Sequence, residues 1–167
     1  MITLDQFIQQ NNIKPGDAVV AKKDVIGLLD HYLIYLGYYH GEHKFMANYL
    51  KGTRILTYGE LNNYSSSLSP TRIRRFIGTQ IQRNAVVERA LSRKDQNSYH
   101  LILNNCEHFV TYAQEGKAYS QQTNVFGAGM AVTGLAVAAS SKTDVGKGVG
   151  TAMAILGLLT LMIENKD

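Results

Sequence analysis

One cysteine occurs in the 167 residues, Cys106, in the stretch "NNCEHFV" at 104–110, and the chain has five histidines, His31, His40, His43, His100 and His108. A thiol does chemistry as its thiolate, and an imidazole within hydrogen-bond reach is the usual partner that takes its proton. The local pattern gives the cysteine a suitable address. Asn104 and Asn105 offer an N-cap, and Cys106, Phe109, Val110 and Ala113 recur at i, i+3, i+4 and i+7. A helix is therefore expected that Cys106 opens and Gly116 stops. The unpaired N–H groups and the positive end of the helix dipole favour a thiolate there. The plainer alternative is that Cys106 is a small buried hydrophobe in the apolar stripe of that helix.

The base has to come from elsewhere in the chain. His108 stands two residues further along the same helix, a rotation of about 200°, and so points away from Cys106. His31 follows Asp30 and opens "HYLIYLG" at 31–37, the strongest strand signal in the sequence. A histidine on a strand facing a cysteine on a helix is a rigid way to assemble such a pair, and His31 with Cys106 is the candidate. His40 and His100 read as surface or strand-end residues without a role.

The elements that must position this pair are legible in outline. Thr3 with Gln6 forms a capping box before a short helix face of Leu4, Phe7 and Ile8, and Pro15-Gly16 makes a turn. Strands are expected in "AVVA" at 18–21, "HYLIYLG" at 31–37 and "KFMANYL" at 44–50, with Gly41 in the hairpin between the last two. The polar stretch 62–70 reads as a loop and "IRRFIG" at 73–78 as one more short strand. Asn84 to Lys94 reads as a helix capped by Asn84, with Val86, Val87, Ala90 and Leu91 on one side. "YHLIL" at 99–103 leads into the cysteine helix. The fold class is α+β.

Composition narrows the setting. The chain is 45% hydrophobic, enough for one buried core plus an appendage. A single cysteine cannot form an internal disulfide, and "MITLDQFIQQNN" lacks the pattern of a secretory signal, so a reducing, cytoplasmic setting is expected. The formal charge is +4, but Thr71–Lys94 holds seven basic residues and one acidic. That positive segment could face anionic lipid or only water; without interleaved aromatics it does not read as a nucleic-acid site.

The C-terminal stretch differs in kind. Val125–Ala139 and Val149–Ile163 are each 15 residues without a charge, dense in Gly and Ala. Both fall short of the roughly 20 residues that span a bilayer as a helix. Two readings stand: a glycine-rich hairpin packed on protein, or a hairpin that holds the domain at a bilayer. The domain division is 1–122 and 123–167.

"PGD" at 15–17, "HYLIYLG" at 31–37, the run from Val86 to Gln122 with "NCEHF" inside it, and the apolar tail together resemble the lecithin:retinol acyltransferase (LRAT) family of lipid-acting cysteine enzymes. The resemblance implies a circularly permuted papain-like domain, related to NlpC-type peptidases, in which histidine precedes cysteine in the chain. It implies Cys106 as nucleophile, His31 as general base, an acyl ester of a glycerophospholipid as substrate, a membrane surface as partner, and no cofactor or metal. The acyl group would pass through a thioester to water, an amine or an alcohol. The alternatives are a cysteine peptidase or amidase, and a non-catalytic membrane-interaction module on the same fold. The family's second histidine sits twelve residues after the first on the return strand. Counting gives His43, while matching the strand pattern gives Asn48 in "MANY" with a longer hairpin. Alternation makes these two exclusive, and Asn48 is favoured, its carbonyl able to hold an imidazole N–H.

Overall fold

The computed structural model describes residues 3–22, 30–57, 59–61, 70–97, 99–100 and 104–166. The loop expected at 62–70 falls, except for its last residue, outside the described residues, as do 101–103 of the stretch leading to Cys106. The chain divides into two compact units, Met1–Ala118 and Tyr119–Asp167.

In the first unit Thr3 caps helix α1, Leu4–Gln10, through the expected capping box: Thr3 Oγ1 accepts from the Gln6 N–H, and Gln6 Oε1 from the Thr3 N–H. Five antiparallel strands follow, β1 (Ala18–Lys22), β2 (Asp30–Tyr39), β3 (Glu42–Tyr49), β4 (Gly52–Leu56) and β5 (Pro70–Arg74), in the spatial order β4-β3-β2-β1-β5. The β2–β3 hairpin closes on His40 and Gly41, whose φ angles of 52° and 80° are those a type I′ turn demands. Near its turn the hairpin shifts register by one residue between Tyr35 and Gly37. β5 lies earlier than expected, overlapping the predicted 73–78 only at Ile73 and Arg74. β4 was not announced by the sequence pattern, because its Gly, Thr and Arg carry little strand signal until β3 pairs with them.

Alternation along β2 serves two cores at once. Tyr32, Ile34 and Leu36 join Ala18, Val20 and Met46 against helices α2 (Gln80–Leu91) and α3 (Cys106–Glu115). Leu33 and Tyr35 join Val19, Phe45 and Ala47 on the other side, where Ile8 of α1 packs. Each large apolar side chain so buried contributes about 1.5–3 kcal/mol. Helix α2 begins four residues before the expected Asn84. Thr79 is its N-cap, in a capping box with Gln82 that holds an extra turn.

The second unit is a helical hairpin of α4 (Gln121–Ser140) and α5 (Asp144–Glu164). The stretches Val125–Ala139 and Val149–Ile163 are 15 residues each, but the helices continue past them to 20 and 21 residues. At 1.5 Å per residue each is about 30 Å long, which removes the length objection to crossing a bilayer. The residues buried between them are small: Gly127, Ala131 and Gly134 on α4, and Gly150, Ala154 and Gly157 on α5. A Cβ added at Gly134, Gly150 or Gly157 would run into the backbone of the facing helix. Large aliphatic side chains, among them Leu135, Ile155, Leu158 and Met162, point outward.

Candidate active site

Cys106 is the first residue of α3 and is buried. Asn105 caps the helix: its Oδ1 accepts from the N–H groups of Glu107 at 2.9 Å and His108 at 3.1 Å. His108 answers with the other half of the box, its Nδ1 accepting from the Asn105 N–H at 3.3 Å. That bond leaves Nδ1 without a proton and gives His108 a capping task away from the sulfur. At the other end Gly116, with φ of 78°, closes α3 as expected.

The stripe of Cys106, Phe109, Val110 and Ala113 packs on the sheet as the periodicity predicts. This packing brings the cysteine to the start of β2, where Sγ lies 3.6 Å from the carbonyl oxygen of Asp30, the residue before His31. By strand parity His31 goes with Leu33 rather than with Tyr32. Its buried ring packs against Tyr49, with 4.8 Å between centroids.

His31 also lines a cavity of about 220 Å³ together with Asn48, Tyr49, Leu50, Lys51, Arg54 and Tyr99. The Tyr99 phenol is raised above its ordinary pKa, first by burial and then by its electrostatic interaction with Cys106. Among the described residues, no three His, Cys, Asp or Glu side chains stand together as a metal site.

Asn48 and His43 lie on opposite faces of β3, as alternation requires. His43 is not in the turn. It sits within β3 opposite Tyr38, with Nδ1 2.6 Å from the Tyr35 hydroxyl and Nε2 3.4 Å from Asp5 Oδ1 of α1. Asn48 shares its face with Met46 and is buried. Its Nδ2 donates to the carbonyl of Asn104 at 2.9 Å and reaches that of Asn105 at 3.5 Å, and its Oδ1 accepts from the Thr53 hydroxyl at 3.2 Å. The side chain expected to orient His31 is therefore bonded to the two residues before Cys106. His40 lies in the exposed β2–β3 turn, and His100 bridges to Asn104 through backbone hydrogen bonds.

Sequence spacing gave no sign of a second brace. The Tyr32 hydroxyl donates to the buried Glu107 at 3.0 Å and accepts from Arg72 Nη2 at 2.6 Å, and Arg72 also reaches Asp30 at 3.2 Å. Burial, with Glu107 beside it, raises the Tyr32 phenol well above its ordinary pKa and keeps it a donor. Asp30 and Glu107, the neighbours of His31 and Cys106, are thereby joined through one arginine and one tyrosine.

Most arginines of the positive segment are tied to groups of the chain itself, while Arg72, Arg75 and Lys94 remain exposed. Arg75 and Arg83 hold the buried carboxylate of Asp17, at 3.0 and 2.9 Å. Burial pushes that carboxyl up, but Arg83, the N–H groups of Lys14 and Phe76, and Arg75 together hold it below its ordinary value. Arg74 pairs with Glu115, Arg89 donates to the Ala113 and Gln114 carbonyls, and Arg93 lies 4.1 Å over the Tyr112 ring.

The model of the family described as Lecithin retinol acyltransferase matches residues 48–119. No curated protein matches the chain. The matched stretch runs from Asn48 through α2 and α3 and contains the "NCEHF" block. An α+β domain with a small antiparallel sheet, and a cysteine opening a helix that packs on it, agrees with the permuted papain-like fold of that family. Residues 48–119, and with them the helix that Cys106 opens, are what the chain shares with the lecithin retinol acyltransferase family model.

Proposed function

We propose that this acyltransferase-type domain is a cysteine enzyme of glycerophospholipids, with Cys106 as nucleophile and His31 as general base. The observation that carries the reading is the placement of Cys106 as the first residue of α3, 3.6 Å from the carbonyl of Asp30, the residue before His31. In this cycle His31 takes the thiol proton and the thiolate attacks the ester carbonyl carbon. A C–S bond forms, the ester C–O bond breaks, and the lysophospholipid alkoxide leaves with the proton from His31. Water, an amine or an alcohol then attacks the thioester and gives its proton to His31, restoring the thiolate. The oxyanion of each step lies at the start of α3, near the Cys106 N–H and the positive end of the helix dipole.

Asn48 serves as a positioning residue in this scheme, holding the chain that leads into Cys106, and His43 braces the hairpin against α1. The α4–α5 hairpin holds the enzyme at the bilayer that supplies its substrate. Its support is the length of both helices, their small-residue seam and their outward aliphatic side chains. Incubation with phosphatidylcholine vesicles should give a protein-bound acyl group by intact mass spectrometry, labile to hydroxylamine and absent in Cys106→Ser. Turnover that persists in Cys106→Ser would remove the cysteine mechanism.

A further inference from the structure

The wall of the His31 cavity is completed by the tip of the β3–β4 hairpin. Tyr49 pairs with Gly52, so the turn is the two residues Leu50 and Lys51, and both line the cavity. They are an odd pair for a turn in water. Leu50 is 77% exposed, among the most exposed large aliphatic side chains of the first unit, and Lys51 beside it is also exposed.

The charges at the mouth are not equivalent. Arg54 is held by Glu60 and lies 5.0 Å over the Tyr49 ring. Lys51 has no ion-pair or hydrogen-bond partner among the described residues, and no acidic side chain lines the cavity. The mouth thus offers one uncompensated ammonium next to one bare aliphatic side chain, at the edge of the cavity that His31 enters.

We infer that Leu50 and Lys51 form the lipid-facing lip of the site, Lys51 taking the phosphodiester of the substrate headgroup and Leu50 entering the acyl layer. The inference rests on the glycerophospholipid reading above and makes it more specific. In a glycerophospholipid the phosphodiester is a few bonds from the scissile ester, so a cation at the lip can hold the headgroup while the ester carbonyl lies toward His31. Opposite charge near a lipid surface and burial of an aliphatic side chain act in the same direction, and together they fix which end of the substrate enters.

The test is a titration of full-length Cys106→Ser protein, which binds without turning over, with monomeric dihexanoylphosphatidylcholine, followed by the NMR resonances of Leu50 and Lys51. Both should shift, and adding Lys51→Glu should weaken the dissociation constant about tenfold. Inorganic phosphate should move Lys51 only weakly and Leu50 not at all. Leu50→Ser should lower the binding of the full chain to phosphatidylcholine vesicles severalfold. In the active protein, Lys51→Glu should lower the ratio of kcat/KM for dihexanoylphosphatidylcholine to that for p-nitrophenyl butyrate about tenfold, mainly through KM. Absence of the shifts, or an unchanged dissociation constant in Lys51→Glu, overturns the inference even if the enzyme is active. Phosphate binding as tight as lipid binding overturns it in favour of a free-anion site. Lipid binding at this lip without turnover by the wild-type protein leaves the lip in place and overturns the catalytic reading instead.

Discussion

Replacing Asn48 separates two roles that resemble each other in a simple activity assay. An orienter of His31 uses its carbonyl, and aspartate would replace it or improve on it, as a carboxylate also stabilises imidazolium. The clamp seen here uses the amide N–H₂, 2.9 Å from the Asn104 carbonyl, and aspartate places an acceptor against that acceptor. In Asn48→Ala the Thr53 hydroxyl, buried, loses its acceptor, and a buried polar group left unsatisfied costs about 1–3 kcal/mol. The Asn104 carbonyl keeps the His100 N–H at 3.1 Å, so its lost bond costs only about 1 kcal/mol. The sum is about 2–4 kcal/mol of stability, with α3 and its cysteine loosened at the start.

Asn48→Asp should be at least as damaging at neutral pH and partly recover in acid. The carboxyl donates to Asn104 only when protonated, so its folded pKa rises. Stability is then present below the unfolded value of about 3.9 and lost as pH rises through the higher folded one. Denaturant unfolding at pH 4 and pH 7, paired with the rate of Cys106 alkylation by iodoacetamide, reads both effects. An Asn48→Asp protein as stable as wild type, with equal or faster turnover, would falsify the clamp and restore Asn48 as orienter.

Other outcomes follow from the same packing. Asp17 should contribute stability that is fully present above its ordinary value of 3.8 and is lost as pH falls below that through its lowered folded pKa; Asp17→Asn should flatten this acid limb in denaturant melts. Asp17→Ala leaves Arg83 with an uncompensated charge and should cost about 3–5 kcal/mol in the same melts. Tyr32→Phe keeps the ring but breaks the link between Arg72 and Glu107; a loss of about 1–3 kcal/mol is expected, with slower Cys106 alkylation. Gly150→Val pushes a side chain into the α4 backbone and should destabilise the hairpin by about 1–3 kcal/mol, read by thermal unfolding in detergent micelles. Deletion of 119–167 should leave a folded first unit with poor activity on vesicles; failure to fold would make the hairpin part of its core.

The sequence by itself determined the parts whose causes are local. A capping box needs only Thr3 and Gln6, a type I′ turn only His40 and Gly41, and the stripe that starts at Cys106 only a period of 3.6 between an asparagine cap and Gly116. The tertiary structure decided whatever depends on partners far along the chain. Gly52–Leu56 becomes a strand because β3 offers a ladder to it, and arginines of 72–83 find partners because Asp17, Tyr32 and Glu115 are folded against them. Alternation showed that His43 and Asn48 oppose each other, a local fact about β3. That the Asn48 amide is taken by Asn104 and Thr53 is a non-local one, since a side chain's hydrogen bonds depend on which backbone groups the fold leaves beside it.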